Sequence, residues 1–182
     1  MLLHTPEGSL GNPPAPFSLP DAYGETHHLY NLMGPNGILI AFICNHCPYV
    51  IDIMPRFVED AAALNDAGVG VVCINANDYA AYPADAPEKM PAFAAKFGLT
   101  APYLVDAEQS TARSYGAVCT PDFFGFGRET GLQYRGRLDD VRKGGDGANR
   151  TPELRDAMQL IAKTGAGPKT QTPAMGCSLK WK

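Results

Sequence analysis

A chain of 182 residues, 45% of them apolar and 19% charged, fits one domain with a sizeable core and lies outside the compositions of fibres and disordered chains. Fifteen basic against nineteen acidic residues leave a formal charge of −4 and a pI near 5.5, which offers no basic surface to nucleic acid or anionic membrane. The longest apolar run, Ile38 to Cys44, is far shorter than the roughly 20 residues of a bilayer helix, and the opening MLLHTPEGSL lacks the regions of a secretory signal, so a cytoplasmic location is expected.

Residues 1–16 are rich in Pro and Gly without an apolar period and read as a lead-in arm, with residues 17–182 as the domain. FSLPDAYGETHHLYNL carries two short apolar stretches around Pro-Asp and Gly, the pattern of a small hairpin. His27 and His28 fall there; neighbours on a strand face opposite ways, so the two are read as solvated turn residues rather than a metal pair. GILIAFIC, continuously apolar after Gly37, predicts a strand buried on both faces whose carboxyl end delivers Cys44. From Pro48 the period changes to that of a helix, with Val50, Met54, Phe57, Val58, Ala61 and Leu64 on one stripe, Gly68 as its stop and Pro55 as an interior kink.

VGVVCINA predicts a second buried strand with Cys73 as a small core residue. In DAPEKMPAFAAKFG, Asp85 and Glu88 have capping-box spacing, but Pro91 requires that the helix begin later or bend. PYLV reads as a strand, EQSTARSYG as a short helix, and TPDFFGF with GLQYRGRL as an antiparallel hairpin. Thr151 and Pro152 open a final helix with Leu154, Ala157, Met158 and Ile161 inward, and an irregular tail follows Gly167. This order predicts an α/β fold, a mixed central sheet with helices on both faces and an N-terminal β-hairpin.

Five cysteines, an odd number unevenly spread, are unlike a structural disulfide framework. Cys44-Asn45-His46-Cys47 lies at a strand's carboxyl end, where open α/β sheets place their sites. A helix starting at or just after Cys44 would turn its N–H groups on that sulfur, and His46 adds a cation when protonated; both favour the thiolate. Cys44 is then the nucleophile and Cys47 the resolving thiol, a chemistry that needs no cofactor. Zinc is the alternative, but its structural sites take four ligands and one Cys-x-x-Cys supplies two, with only Cys119 and Cys177 left to complete them. Cys119 is read either as a core sulfur or as a thiol within reach of substrate. Cys177 is read as an exposed terminal thiol, the alternative being a tail folded over the site with Trp181 as lid.

The Cys-x-x-Cys between strand and helix, followed by Val118-Cys119-Thr120-Pro121 before a hairpin, resembles the thioredoxin superfamily. The length, the DAPEKM insert and the closing GCSLKWK resemble more closely the peroxiredoxin-like branch of the AhpC/TSA redoxins. The resemblance implies a thioredoxin-like fold and a cis Thr120-Pro121 bond packed beside Cys44. It also implies that Thr120 and Pro121 form a main-chain docking edge, and that the partners are protein or small-molecule disulfides and a thiol electron donor. Peroxiredoxins carry Pro-x-x-x-Thr-x-x-Cys at the peroxide-reactive sulfur; here Gly37 and Ala41 stand at those places, and Thr120-Pro121 occupies the region of the family's Arg. A thiol–disulfide oxidoreductase is therefore expected, with a thiol peroxidase using Cys44 as the alternative and a zinc-binding module as a second one.

Overall fold

The computed structural model describes residues 1–182. After a short strand β1 (Leu2–His4), the hairpin β2 (Ser18–Pro20) and β3 (Thr26–His28) leads into the single turn α1 (Leu29–Leu32) and the strand β4 (Ile38–Phe42). Then come α2 (Pro48–Asp66), β5 (Gly70–Asn75), two 3-10 turns, α3 (Met90–Phe97), β6 (Tyr103–Val105) and α4 (Ser110–Tyr115). The chain continues through β7 (Cys119–Thr120), β8 (Asp122–Gly127), β9 (Gly131–Tyr134), α5 (Glu153–Thr164) and β10 (Met175–Ser178). The main sheet has the order β6-β5-β4-β8-β9, parallel between β4, β5 and β6 and antiparallel between β4, β8 and β9.

The uninterrupted apolar run of β4 follows from its central position. Leu39, Ala41 and Ile43 face the core shared with α2, α3 and α5, whereas Ile38, Ile40 and Phe42 face a second core with Leu29 of α1 and Ala112 of α4. Helices thus cover both faces, and each large apolar side chain so enclosed contributes about 1.5–3 kcal/mol. α2 opens with Pro48, whose fixed φ suits a first helical position, and the chain turns at Gly68 with φ 75°. Pro55 is accommodated inside the helix. The buried face of α2 also carries Arg56 and Asp60. Arg56 Nε donates to Asp139 at 2.8 Å, and Arg150 holds both oxygens of Asp60, at 2.6 and 2.8 Å, which ties the connection before α5 to the helix.

Several local expectations are corrected. His27 is no solvated turn residue: it lies on β3, its Nε2 3.1 Å from Asp21 Oδ2, while His28 is exposed on the opposite side. α3 begins at Met90, past the point a capping box at Asp85 would need, because Pro87 and Pro91 confine the preceding segment to short 3-10 turns. Pro152 is the N-cap of α5 rather than its first residue. The arm does not stand apart either: β1 pairs with β10, Thr5 is buried, and Gly11 and Asn12 exchange backbone bonds with Leu132. The tail predicted as irregular contains β10, the middle strand of a small sheet β1-β10-β7.

Asp122, which opens β8, makes the fold's stability depend on pH. Burial raises its carboxyl to about 6, against the opposing pull of Arg135, whose Nη2 donates to it at 3.0 Å, and of the Val118 N–H. The folded state therefore holds this proton where the unfolded chain, ionising near 3.8, has lost it. The resulting stabilisation is complete below pH 3.8 and is lost as pH rises through 6, an effect of about 3 kcal/mol. Urea unfolding of the wild type and of Asp122→Asn at pH 4, 5.5 and 7 is expected to show a fall in the wild type that the uncharged variant lacks. Parallel profiles would rule out this titration.

Candidate functional site

Both sulfurs of the Cys-x-x-Cys motif lie where the sequence puts them, between β4 and α2, at the carboxyl end of the central strand. The helix begins where the apolar period changes, at Pro48, and not at or just after Cys44. Pro48 is its first residue and Cys47 its N-cap, so the helix end bears on Cys47 rather than on Cys44. The two thiols act on each other's ionisation. That mutual influence is the largest on both: it lowers Cys47 well below the ordinary thiol range and raises Cys44. The amide N–H groups of Val50 and Cys177 add to the effect on Cys47, while burial and the charge of Asp85 add to that on Cys44. A negative charge on the pair is favoured on Cys47, the sulfur at the helix N-terminus. In the uncharged dithiol the Cys47 thiol donates to the Thr120 carbonyl at 3.2 Å. Exposure is 1% for Cys44 and 0% for Cys47.

His46 is half-buried and held from behind. Its Nδ1 lies 2.7 Å from Oδ2 of Asp85, a carboxylate with no exposed surface, and its ring stacks on Tyr82 at 6.0 Å. Asp85 also accepts the Asn45 N–H at 2.8 Å and the Asn77 amide at 2.7 Å, and Asn75 donates to its main-chain carbonyl at 2.9 Å. Asn45 is fixed further by the Tyr103 hydroxyl, 3.0 Å from Oδ1. Sequence reasoning missed this cradle and took Asp85 for a helix cap. A signal was available, since Asn75 and Asn77 end a parallel strand beside the one that delivers Cys44, on the edge where such sheets gather their polar groups.

Thr120 and Pro121 are brought to the pair as expected: the bond between them is cis, and Thr120 Oγ1 lies 3.3 Å from Cys44 Sγ. Thr120 is paired with Cys177 of β10 and its carbonyl accepts from the Cys47 thiol, so the chain's own last strand lies along the edge expected to dock substrate. Cys119 is fully buried with its thiol toward the Pro121 carbonyl, which assigns it to the core. Cys177 is no loose terminal thiol, since it sits half-buried in β10, paired with Thr120, whose carbonyl accepts from the Cys47 thiol. Trp181 is not a lid over the sulfurs; it packs on Arg113 of α4, 4.4 Å from ring centre to guanidinium. Past Pro121 opens a groove of about 440 Å³, lined by Tyr49, Phe123, Arg142 and Lys143 among others, which neither Cys44 nor Cys47 lines.

Cys44, His46 and Asp85 each offer a ligand atom within 4.8 Å of the others. Three groups fall short of a closed tetrahedral zinc site, and both Asp85 oxygens already accept hydrogen bonds that orient Asn45, His46 and Asn77. The arrangement is better matched to positioning an imidazole beside a thiol. Asp85→Asn tests the electrostatic half of this. With the charge gone, the pH profile for alkylation of Cys44 by iodoacetamide is expected to move to lower pH, because the Asp85 charge raises that thiol. The variant's new amide would face the Asn77 donor, at a cost of about 1–3 kcal/mol in stability. An unmoved profile would mean that the charge is not felt at the sulfur.

The AhpC/TSA family profile matches residues 10–138. No curated protein matches the chain. Among solved structures, an uncharacterized conserved protein from Geobacillus kaustophilus is 37% identical with a TM-score of 0.92, covering 100% of this chain and 97% of its own. A hypothetical protein from Sinorhizobium meliloti 1021 is 39% identical with a TM-score of 0.92, covering 98% of each chain. A secreted Mycobacterium tuberculosis disulfide oxidoreductase homologous to E. coli DsbE shares the fold at 20% identity and a TM-score of 0.55, over 64% of this chain and 80% of its own. The fold is thioredoxin-like.

Proposed function

Because the chain belongs to the AhpC/TSA family, a family of thioredoxin-like redoxins, we propose that it is a thiol–disulfide oxidoreductase working through the Cys44–Cys47 dithiol/disulfide couple. The observation that carries this reading is the pair of enclosed thiols at the N-terminus of α2, Cys44 beside the Thr120 hydroxyl and Cys47 at the N-cap, where the helix end favours its thiolate.

The inequality assigns the roles. A disulfide opens more readily when the departing sulfur is the better thiolate, so an external thiol that attacks Cys44 expels Cys47. The mixed disulfide is then on Cys44, and Cys47 is the sulfur that leaves and returns. In the reducing direction Cys44 gives its proton to the Cys47 thiolate and attacks one sulfur of the substrate disulfide, whose other sulfur departs as a thiolate. Cys47 next loses that proton and attacks Cys44 Sγ. The Cys44–Cys47 bond forms, the mixed disulfide breaks, and the second substrate thiolate leaves; two electrons have passed from the dithiol to the substrate. His46, oriented through Nδ1 by Asp85, supplies or removes protons at Cys44.

With β10 along Thr120, small disulfides and exposed flexible disulfides are the substrates this reading favours over ones that must add a strand. Reduction of insulin disulfides by the reduced protein is the direct test: turnover with a thiol donor is expected, and no reduction at stoichiometric enzyme would overturn the reading. The family match also supports a second reading, a thiol peroxidase with Cys44 as the peroxide-reactive sulfur; the two part on relative rates.

A further inference from the structure

We propose that Cys177 is a third redox thiol, which receives the disulfide from Cys44–Cys47 by internal exchange and carries it, as Cys47–Cys177, to the partly exposed edge of the site. This rests on the reading of Cys44–Cys47 as a redox couple and extends it.

The fold seats Cys177 as an internal substrate would be seated. β10 lies antiparallel to β7 with Cys177 opposite Thr120, beside the cis bond and against the N-terminus of α2. The approach is so close that a Cβ on Gly176 would fall 2.1 Å from the Thr120 carbonyl oxygen, so only glycine lets the strand reach this depth. The chain beyond is fastened as well. Leu179 N bonds the Val118 carbonyl at 3.0 Å, Lys180 N bonds Asn77 Oδ1 at 2.9 Å, and the Lys180 carbonyl accepts from Asp78 N and Gln109 Nε2, both at 2.8 Å. Asn77 therefore holds the tail with one end of its amide and the carboxylate behind His46 with the other. A merely exposed terminal thiol requires none of this.

The exchange balances without an outside oxidant. In the oxidised protein Cys177, being only half-buried, releases its proton to solvent and attacks Cys47 Sγ. The Cys47–Cys177 bond forms, the Cys44–Cys47 bond breaks, and Cys44 departs as a thiolate that takes a proton from His46; one disulfide is consumed and one is made. Burial raises the Cys177 thiol to about 11, with the neighbouring Cys47 thiol and then its charge as the next causes, and both are gone once Cys47 is in a disulfide. The benefit is access. Cys44 and Cys47 are enclosed, whereas Cys177 is only half-buried, so a thiol reductant that attacks Cys177 Sγ releases Cys47 as its favoured thiolate.

The tryptic map separates the two disulfides. The first Lys or Arg is Arg56, so a Cys44–Cys47 bond stays inside the peptide 1–56, whereas a Cys47–Cys177 bond joins it to the peptide 170–180. The full chain is oxidised with one equivalent of diamide, quenched in acid, alkylated and mapped, alongside Cys44→Ser and Cys177→Ser. Both disulfides are expected in the wild type, the 1–56/170–180 cross-link in monomeric Cys44→Ser, and at least tenfold slower re-reduction of oxidised Cys177→Ser by dithiothreitol. Cys44–Cys47 alone in the wild type, no internal cross-link in Cys44→Ser and unchanged re-reduction of Cys177→Ser would overturn the relay and leave the couple standing. Absence of any Cys44–Cys47 bond would overturn the couple and the relay together.

Discussion

Cys44→Ser is expected to bring disulfide reduction down to the uncatalysed background, and Cys47→Ser to stop turnover with close to one mixed disulfide trapped per chain. The difference comes from the positions of the two sulfurs. A serine hydroxyl at 44 is no nucleophile toward sulfur near neutral pH, so no adduct forms and nothing remains for Cys47 to resolve. A serine at 47 leaves the attacking sulfur in place but removes the thiolate that would return to it, so the adduct on Cys44 persists. Cys47→Ser has a second consequence. Cys44 donates its proton to Cys47, and without that acceptor its attack depends on its own ionisation, which burial and Asp85 oppose. Adduct formation in Cys47→Ser is therefore expected to be slower than the first turnover of the wild type and to accelerate with rising pH. Mass spectrometry of acid-quenched samples reads both the amount and the rate. Full activity in Cys44→Ser, or an adduct found on Cys47 instead, would reverse the roles assigned here.

What the sequence discloses about this site is what short-range patterns encode. β4 is legible because a strand buried on both faces must be apolar at every position, and α2 because its stripe repeats at the helical period and ends near a glycine in the left-handed region. The juxtaposition of Thr120-Pro121 with Cys44 is legible only through the family pattern, since no local rule links residues so far apart. β1 and β10 are hidden for a different reason. Leu2–His4 and Met175–Ser178 are too short to show alternation; β1 is a strand because it pairs with β10, and β10 because it pairs with both β1 and β7. Asp85 misleads because its spacing to Glu88 imitates a helix cap, while three donors from distant segments, at Asn45, His46 and Asn77, draw the carboxylate inward. The start of α2 illustrates the same limit. The motif places a helix near Cys44, but Pro48 fixes its first residue, and those few positions decide which sulfur the helix end serves.

Hydrogen peroxide is expected to oxidise this protein at a rate closer to that of an ordinary accessible thiol than to that of a dedicated peroxidase, while disulfides react readily. A peroxide-reactive cysteine must do more than ionise, because the site has to orient the peroxide and stabilise charge on the departing oxygen with donors aimed at it. Ala41 is a fully buried residue in the middle of β4 and offers no side-chain donor. The Thr120 hydroxyl, 3.3 Å from Cys44 Sγ, is one donor at the sulfur. Of the arginines in neighbouring segments, Arg135 is engaged with Asp122, Arg137 with Glu153, and Arg56 and Arg150 with Asp139 and Asp60, while Arg142 lines the groove past Pro121, which neither sulfur lines. Loss of a single oxyanion donor commonly costs on the order of 100- to 1000-fold in rate, so a site with one hydroxyl and no guanidinium at the sulfur falls well below a purpose-built peroxidase. The charge distribution acts in the same direction. Peroxide needs the thiolate on the sulfur it meets, and here Cys47 is favoured as thiolate while Cys44 holds the proton. Disulfide exchange is less affected, since the proton passes within the pair and the leaving group is a thiolate rather than hydroxide. Quenched-flow oxidation of the reduced protein by peroxide and by a small aromatic disulfide, read by mass spectrometry at matched concentrations, compares the two directly. Faster consumption of peroxide than of disulfide would transfer the assignment to a thiol peroxidase and require a second donor to enter the site on substrate binding.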